Sequence, residues 1–216
     1  MAEQKNHHRI PQLLHKQVRF QAGMRNNLPF KVLAIILALT VWFLAKQEEK
    51  PVNRFVLAGP DGENHHYDKR YPFSYAQENE YYRAGDKAIT VPINGIRYTP
   101  TVCYDLRFSD AYWPVALDTD CYLVVANWPE SCRHHWKTLL VARAIENQAY
   151  VVGVNRVGVD PNVSYSGDSL IIDPLGEIVA ECPPGMEATL IAEIDPNKVS
   201  RANKANAVAY KPARER

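Results

Sequence analysis

The stretch that decides the fold is "CYLVVANWPESCRHHWKTLLVARAIENQAYVVGVN", residues 121–155. Its two ends, Cys121–Ala126 and Tyr150–Asn155, are short runs rich in β-branched and aromatic residues, and both read as strands. Between them Trp136, Leu139, Leu140 and Ala144 recur at the spacing of one helix face. A helix between two strands that show little polar alternation points to an α/β layered domain whose sheet is covered on at least one face.

Working outward, similar short runs predict strands at 99–103, 169–173 and 189–193. Residues 36–59 form two apolar runs around a polar, Pro-containing turn. They read as a β-hairpin whose second strand is Arg54–Ala58, with "GPDGE" at 59–63 supplying turn residues after it. The first 27 residues are polar and aperiodic, and no repeat or low-complexity tract appears.

The chain has 216 residues, enough for one sizeable domain. Its 25 basic and 24 acidic residues nearly cancel, so charge gives no reason to expect a nucleic-acid partner. The cysteines at 103, 121, 132 and 182 form no CxxC pair, and the three histidine doublets lack the spacing of a helical zinc site. Reduced thiols, no metal and a cytoplasmic location are the expectations. "VLAIILALTVWFLA", residues 32–45, is apolar like a membrane anchor or a signal core. Its fourteen residues are too few to span a bilayer comfortably, Lys31 interrupts what precedes it, and no small-residue cleavage site follows.

Two segments could carry chemistry. In "RYTPTVCYDLRF", residues 97–108, Cys103 ends an apolar run and precedes a turn, a corner where a thiol is exposed and backbone N–H groups face a developing oxyanion. Buried cysteine is also common as a small hydrophobe, so spacing leaves both readings open. In "HHYDKRYPFSYAQENEYYRAGD", residues 65–86, Lys69 sits among aromatic residues with Glu78 nearby. A carboxylate there can hold the ammonium charged and oriented, although a solvated charged loop has the same pattern.

Taken together, "YDKRYPFSYAQENEYYRAGD", "TVCYDLRF", "VVANWPE", "WKTLLVARAIENQAYVVGVNRVG" and "YSGDSLIIDPLGEIVAE" resemble, in order, the carbon-nitrogen hydrolase (nitrilase) superfamily, nearest its ω-amidase-like branch. The likeness covers about residues 53–195. It implies a four-layer α-β-β-α sandwich and a Glu-Lys-Cys triad, often assisted by a second glutamate. Carried over by position, the nucleophile is Cys103, the lysine Lys69 and the assisting glutamate Glu78. The oxyanion would meet Lys69 and the backbone N–H of Tyr104. Trp128 and Glu130 would line the substrate pocket, and Arg107 would support the turn. The implied reaction cleaves the amide of a small carboxylated substrate through a cysteine thioester and releases ammonia, with no cofactor; a homodimer is compatible with it.

The likeness breaks at its start. The triad glutamate belongs in a Leu-Pro-Glu-like motif before the Lys69 block, but Leu28-Pro29 is followed by Phe30. Before residue 60 the acidic residues are Glu3, Glu48 and Glu49. The chain reads as a divergent segment at 1–50, a partial hydrolase domain at 51–198 lacking its first βα unit, and a divergent tail at 199–216. A frameshifted or truncated gene start would produce this pattern, and a catalytically impaired homologue is the alternative function.

Overall fold

A computed structural model describes residues 27–45 and 50–205, which fall into two units, one ending at Glu49 and one beginning at Lys50. The segment before residue 27, including Glu3, lies outside the described residues, as do Glu48, Glu49 and the tail beyond residue 205.

The first unit contains helix α1 (Leu28–Ala45), where the sequence pattern led to the expectation of the first strand of a hairpin. The reason for the difference is local. From Phe30 to Ala45 no glycine or proline interrupts a run rich in Leu and Ala, the strongest apolar helix formers, and Pro29 is confined to the first turn, where its missing N–H costs nothing. The Thr40 hydroxyl bonds back to the Ile36 carbonyl at 2.8 Å, so even this β-branched residue is accommodated. At about 1.5 Å per residue the 18-residue helix is about 27 Å long, shorter than a bilayer's hydrocarbon core of about 30 Å. No helix among the described residues is long and apolar enough to cross a membrane.

The second unit begins with an antiparallel ribbon, β1 (Arg54–Ala58) and β2 (Asn64–Asp68). The expected strand at Arg54–Ala58 is therefore present, but its partner follows it instead of preceding it. The 59–63 turn joins the two, with the Gly59 N–H donating to the Glu63 carbonyl at 2.8 Å. After a short helix α2 (Glu78–Tyr81) come β3 (Val91–Ile93), β4 (Ile96–Val102), β5 (Cys121–Ala126), helix α3 (Arg133–Asn147) and β6 (Tyr150–Asn155). A second ribbon, β7 (Val157–Asp160) and β8 (Val163–Ser166), is followed by β9 (Leu170–Ile172), β10 (Ile178–Glu181) and helix α4 (Pro196–Ala205).

Six strands form one sheet in the order β10-β9-β6-β5-β4-β3. β4, β5 and β6 run parallel at its centre, with antiparallel neighbours outside them. One face packs on α3: Tyr122, Val124, Val151, Leu170 and Ile172 from the strands meet Trp136, Leu140 and Ala144 from the helix, all buried. This is the helix face read from the sequence. Gly153 permits the close approach, because a Cβ there would lie 2.5 Å from Leu140 Cδ1.

The other sheet face is only partly covered. Cys121 and Tyr150 are buried with Val199 of α4, while Leu123 and Val152 are half-buried and Val154 is exposed. The expected strand at 189–193 is not formed, and Ile191 is 89% exposed. A strand needs a neighbour to satisfy its N–H and C=O groups, and no described strand stands beside this segment. Among the described residues one helix layer covers one face of the six-stranded sheet, β1–β2 and β7–β8 each form a separate two-stranded sheet, and no described strand precedes β1.

Candidate active site

The parallel register aligns the carboxyl ends of β4, β5 and β6, pairing Val102 with Val125 and Ala126 with Asn155. Residues leaving those ends, Cys103, Asn127 and Trp128, therefore converge with Asn155 at one rim, the general location of sites in open α/β sheets.

Cys103 opens a 3-10 turn, Cys103–Arg107, at the end of β4 and adopts φ +49°. The left-handed region is costly for a side-chain-bearing residue and persists where surrounding contacts fix it. Here the contacts come from Asp105, which is buried and accepts bonds from the Val102 N–H (2.9 Å), the Tyr71 N–H (2.9 Å) and the Tyr67 hydroxyl (2.8 Å). Burial pushes the Asp105 carboxyl up despite these donors. The same carboxylate thus anchors the cysteine turn to β2 and to the segment beyond Lys69.

Lys69 follows β2 and is 4% exposed. Its ammonium lies 2.6 Å from Glu78 Oε2. Glu78 also accepts from the Asn53 amide at 2.9 Å and the Phe73 N–H at 2.5 Å. Burial pushes Glu78 upward, but the Lys69 ammonium, the Phe73 N–H and the Asn53 amide together hold it below the usual carboxylate value. Backbone bonds fix Lys69 on both sides, its N–H to the Asn53 carbonyl and its carbonyl to the Gly85 N–H, each at 2.8 Å. Gly85 is required there, since a Cβ would fall 2.1 Å from the Asp68 carbonyl oxygen.

Lys69, Glu78 and Cys103 line one cavity of 470 Å³ together with Asn53, Phe73 and Asn127. The Cys103 thiol sits 3.9 Å from the Asn127 carbonyl. Burial raises its pKa, and the Lys69 ammonium partly offsets that rise. An adjoining cavity of 260 Å³ is shared by Cys103 and bounded by Tyr104, Arg107, Trp128, Cys132 and Tyr165. Trp128 is buried; its backbone N–H donates to Asn155 Oδ1 at 2.7 Å and its indole N–H to the Cys132 carbonyl at 2.9 Å. Asn155 Nδ2 donates in turn to the carbonyls of Trp128 and Gly167, tying the rim of β5 to the β8–β9 connection.

The structure thus brings together Cys103, Lys69, Glu78, Tyr104 and Trp128. It sets Glu130 apart, exposed and lining a neighbouring cavity of 480 Å³ with Asn162 and Ser164. Phe73, Asn127 and Tyr165 lie inside the quoted blocks but had no role given to them there, and Asn53 lies outside those blocks. Asp105, two residues beyond the cysteine, was the legible signal that sequence reasoning passed over. Among the described residues no group of His, Cys, Asp and Glu could hold a metal ion.

Comparison with known proteins places the chain in a family. The carbon-nitrogen hydrolase family profile matches residues 27–204. An omega-amidase, YafV of Yersinia enterocolitica, is 52% identical over 144 residues, covering 66% of this chain and 56% of the relative. A 2-oxoglutaramate amidase of Bacillus subtilis is 37% identical over 133 residues, covering 60% and 50%. A carbon-nitrogen hydrolase superfamily structure from Xanthomonas campestris, with an arsenic adduct in its active site, superposes with TM-score 0.68 at 40% identity, covering 73% of this chain and 62% of that one. The chain spans between half and two thirds of the length of these relatives. The profile match, the sheet that superposes on the Xanthomonas enzyme and the cysteine placed at its rim lead to one assignment: the chain belongs to the carbon-nitrogen hydrolase family.

Proposed function

We propose that the chain hydrolyses the amide of a small carboxylated substrate, in the manner of an ω-amidase, with Cys103 as nucleophile. The observation that carries this reading is the cavity shared by a half-buried thiol on a strained turn and an ammonium held by Glu78. The Cys103 sulfur bonds to the amide carbon, and the carbonyl oxygen takes up negative charge beside the Lys69 ammonium and the Tyr104 N–H. The C–N bond then breaks, the thiol proton leaves with the nitrogen as ammonia, and a thioester remains. Water adds to the thioester carbon, the C–S bond breaks, and the sulfur regains a proton as the carboxylic acid departs. The similarity to an omega-amidase and a 2-oxoglutaramate amidase supports the substrate class.

One observation favours a second reading, that of a catalytically impaired homologue. Among the described residues lining the cavity the one carboxylate is Glu78, and it is committed to Lys69, which leaves the thiol proton without a free base. Loss of a positioned base costs about 10²- to 10⁴-fold in rate. Ammonia release from glutaramate or succinamate distinguishes the two. Release that Cys103→Ala abolishes supports the amidase; undiminished release in that variant refutes it, and none from the parent chain selects the impaired homologue.

A further inference from the structure

We infer that helix α1 is a lipid anchor: it beds in the hydrocarbon of one leaflet of a bilayer with anionic headgroups and holds the chain at the membrane surface without crossing it. The inference is independent of the amidase reading, because α1 belongs to the unit that ends at Glu49, whereas the cavity residues begin at Asn53.

Between Leu28 and Ala45 the side chains that carry a charge or a hydroxyl are those of Lys31 and Thr40. Successive residues of an α-helix point about 100° apart. Ile35, Ile36, Leu37 and Trp42 therefore point to different sides of α1, and they are 60%, 53%, 63% and 58% exposed. The apolar surface runs round the whole helix and is open on every side. A helix on the surface of a soluble domain keeps a polar face toward water, and one that is apolar all round belongs in a core or in lipid. A second copy of α1 paired with it would cover one stripe, as in a coiled coil, and leave the rest in water. A bilayer surrounds it.

The polar groups of the segment suit the same partner. The helix satisfies its own backbone, and the Thr40 hydroxyl donates to the Ile36 carbonyl at 2.8 Å, so this hydroxyl does not enter hydrocarbon unpaired. The 18 residues fall short of the bilayer core, so both ends of α1 stay with one headgroup layer. Ahead of Leu28 the sequence carries Lys5, Arg9, Lys16, Arg19 and Arg25 against Glu3, a basic flank of the kind that anionic headgroups attract. Lys31 in the first turn and Trp42 in the last have apolar stems or rings with a polar tip, the side chains that reach from hydrocarbon to the interface.

The test is flotation of the full chain with vesicles of phosphatidylcholine and phosphatidylglycerol, read together with quenching of Trp fluorescence by lipid that carries a nitroxide high on its acyl chain. The chain is expected to float with its emission quenched. Trp42→Phe should still float but lose most of the quenching, since Trp128 and Trp136 are buried in the other unit. Ile36→Asp combined with Leu39→Asp should lower partitioning onto the vesicles about 100-fold, because a carboxylate in hydrocarbon is costly. A parent chain that stays in the soluble fraction, as a single chain or as a lipid-free oligomer, overturns the inference. So does flotation that the paired Asp substitutions leave unchanged, and so does flotation that high salt abolishes, which would belong to the basic flank alone. Quenching that persists undiminished in Trp42→Phe overturns it too, through a variant that keeps the helix apolar.

Discussion

Glu78 Oε2 stands 2.6 Å from Lys69 Nζ, and the two side chains form an ion pair that is 15% and 4% exposed. Removing one member of such a pair leaves the other charge buried without a partner, which costs about 3–5 kcal/mol. Glu78→Ala should therefore lower the denaturant midpoint sharply. Glu78→Gln, which retains an acceptor for the Phe73 N–H, should cost less. Because Glu78 is held below the usual carboxylate value when folded, its stabilisation is complete above the ordinary carboxylate range and is lost as pH falls below it. Thermal melts of parent and Glu78→Gln between neutral and acid pH should converge at the acid end; a constant gap would count against the pair.

Burial holds the Cys103 thiol above the ordinary cysteine value, and the Lys69 ammonium is the largest influence opposing that rise. Iodoacetamide alkylation should climb with pH to an inflection above the roughly 8.5 of a free cysteine. Lys69→Met should move the inflection higher still. An inflection at or below that of free cysteine, read by mass spectrometry of the modified peptide, would show that the thiol is more exposed or better paired than the geometry indicates.

Asn155 satisfies the backbone of Trp128 in both directions and reaches the Gly167 carbonyl. Asn155→Ala leaves buried backbone groups without partners, each worth about 1–3 kcal/mol. The expected result is a loss of about 3 kcal/mol or more in equilibrium unfolding together with stronger quenching of Trp fluorescence by acrylamide, since the indole wall of the cavity is released. Unchanged quenching would show that the Cys132 carbonyl alone holds the ring.

Trp136 is fully buried between α3 and the sheet, and its indole N–H donates to the Asp168 carbonyl at 2.8 Å. Trp136→Ala should cost about 3–5 kcal/mol. Gly153→Ala drives a methyl into Leu140 and should cost about 1–3 kcal/mol by overpacking. Adding Leu140→Ala to Gly153→Ala relieves the clash, so the double variant should lose less than the sum of the singles; strict additivity in urea unfolding would refute the contact.

Local pattern made the centre of the fold legible. Cys121–Ala126, Arg133–Asn147 and Tyr150–Asn155 form the elements their periodicity implies, because each buries the face that its spacing presents. The pattern failed where the outcome depends on a neighbour. The apolar run from residue 36 reads as the first strand of a hairpin, and an uninterrupted run of helix formers makes it a helix instead. Residues 189–193 have the composition of a strand but no described strand beside them, so the ladder does not form. β7 and β8 were missed because their pairing follows from the turn between them, not from an apolar run.

For the site, the sequence by itself determined which residues are candidates: a cysteine at a strand end, a lysine among aromatic residues and a glutamate nine positions on. These are properties of residue type and order, and they hold before the chain folds. Only the tertiary structure decided what those residues face. It committed Glu78 to Lys69, moved Glu130 to a different cavity, gave Asp105 the task of fixing the strained cysteine turn, and set the Arg107 guanidinium over the Trp128 ring. Residues 34 or more apart in sequence meet there, and the charge and burial each one experiences belong to the packing of the sheet rim, not to its place in the chain.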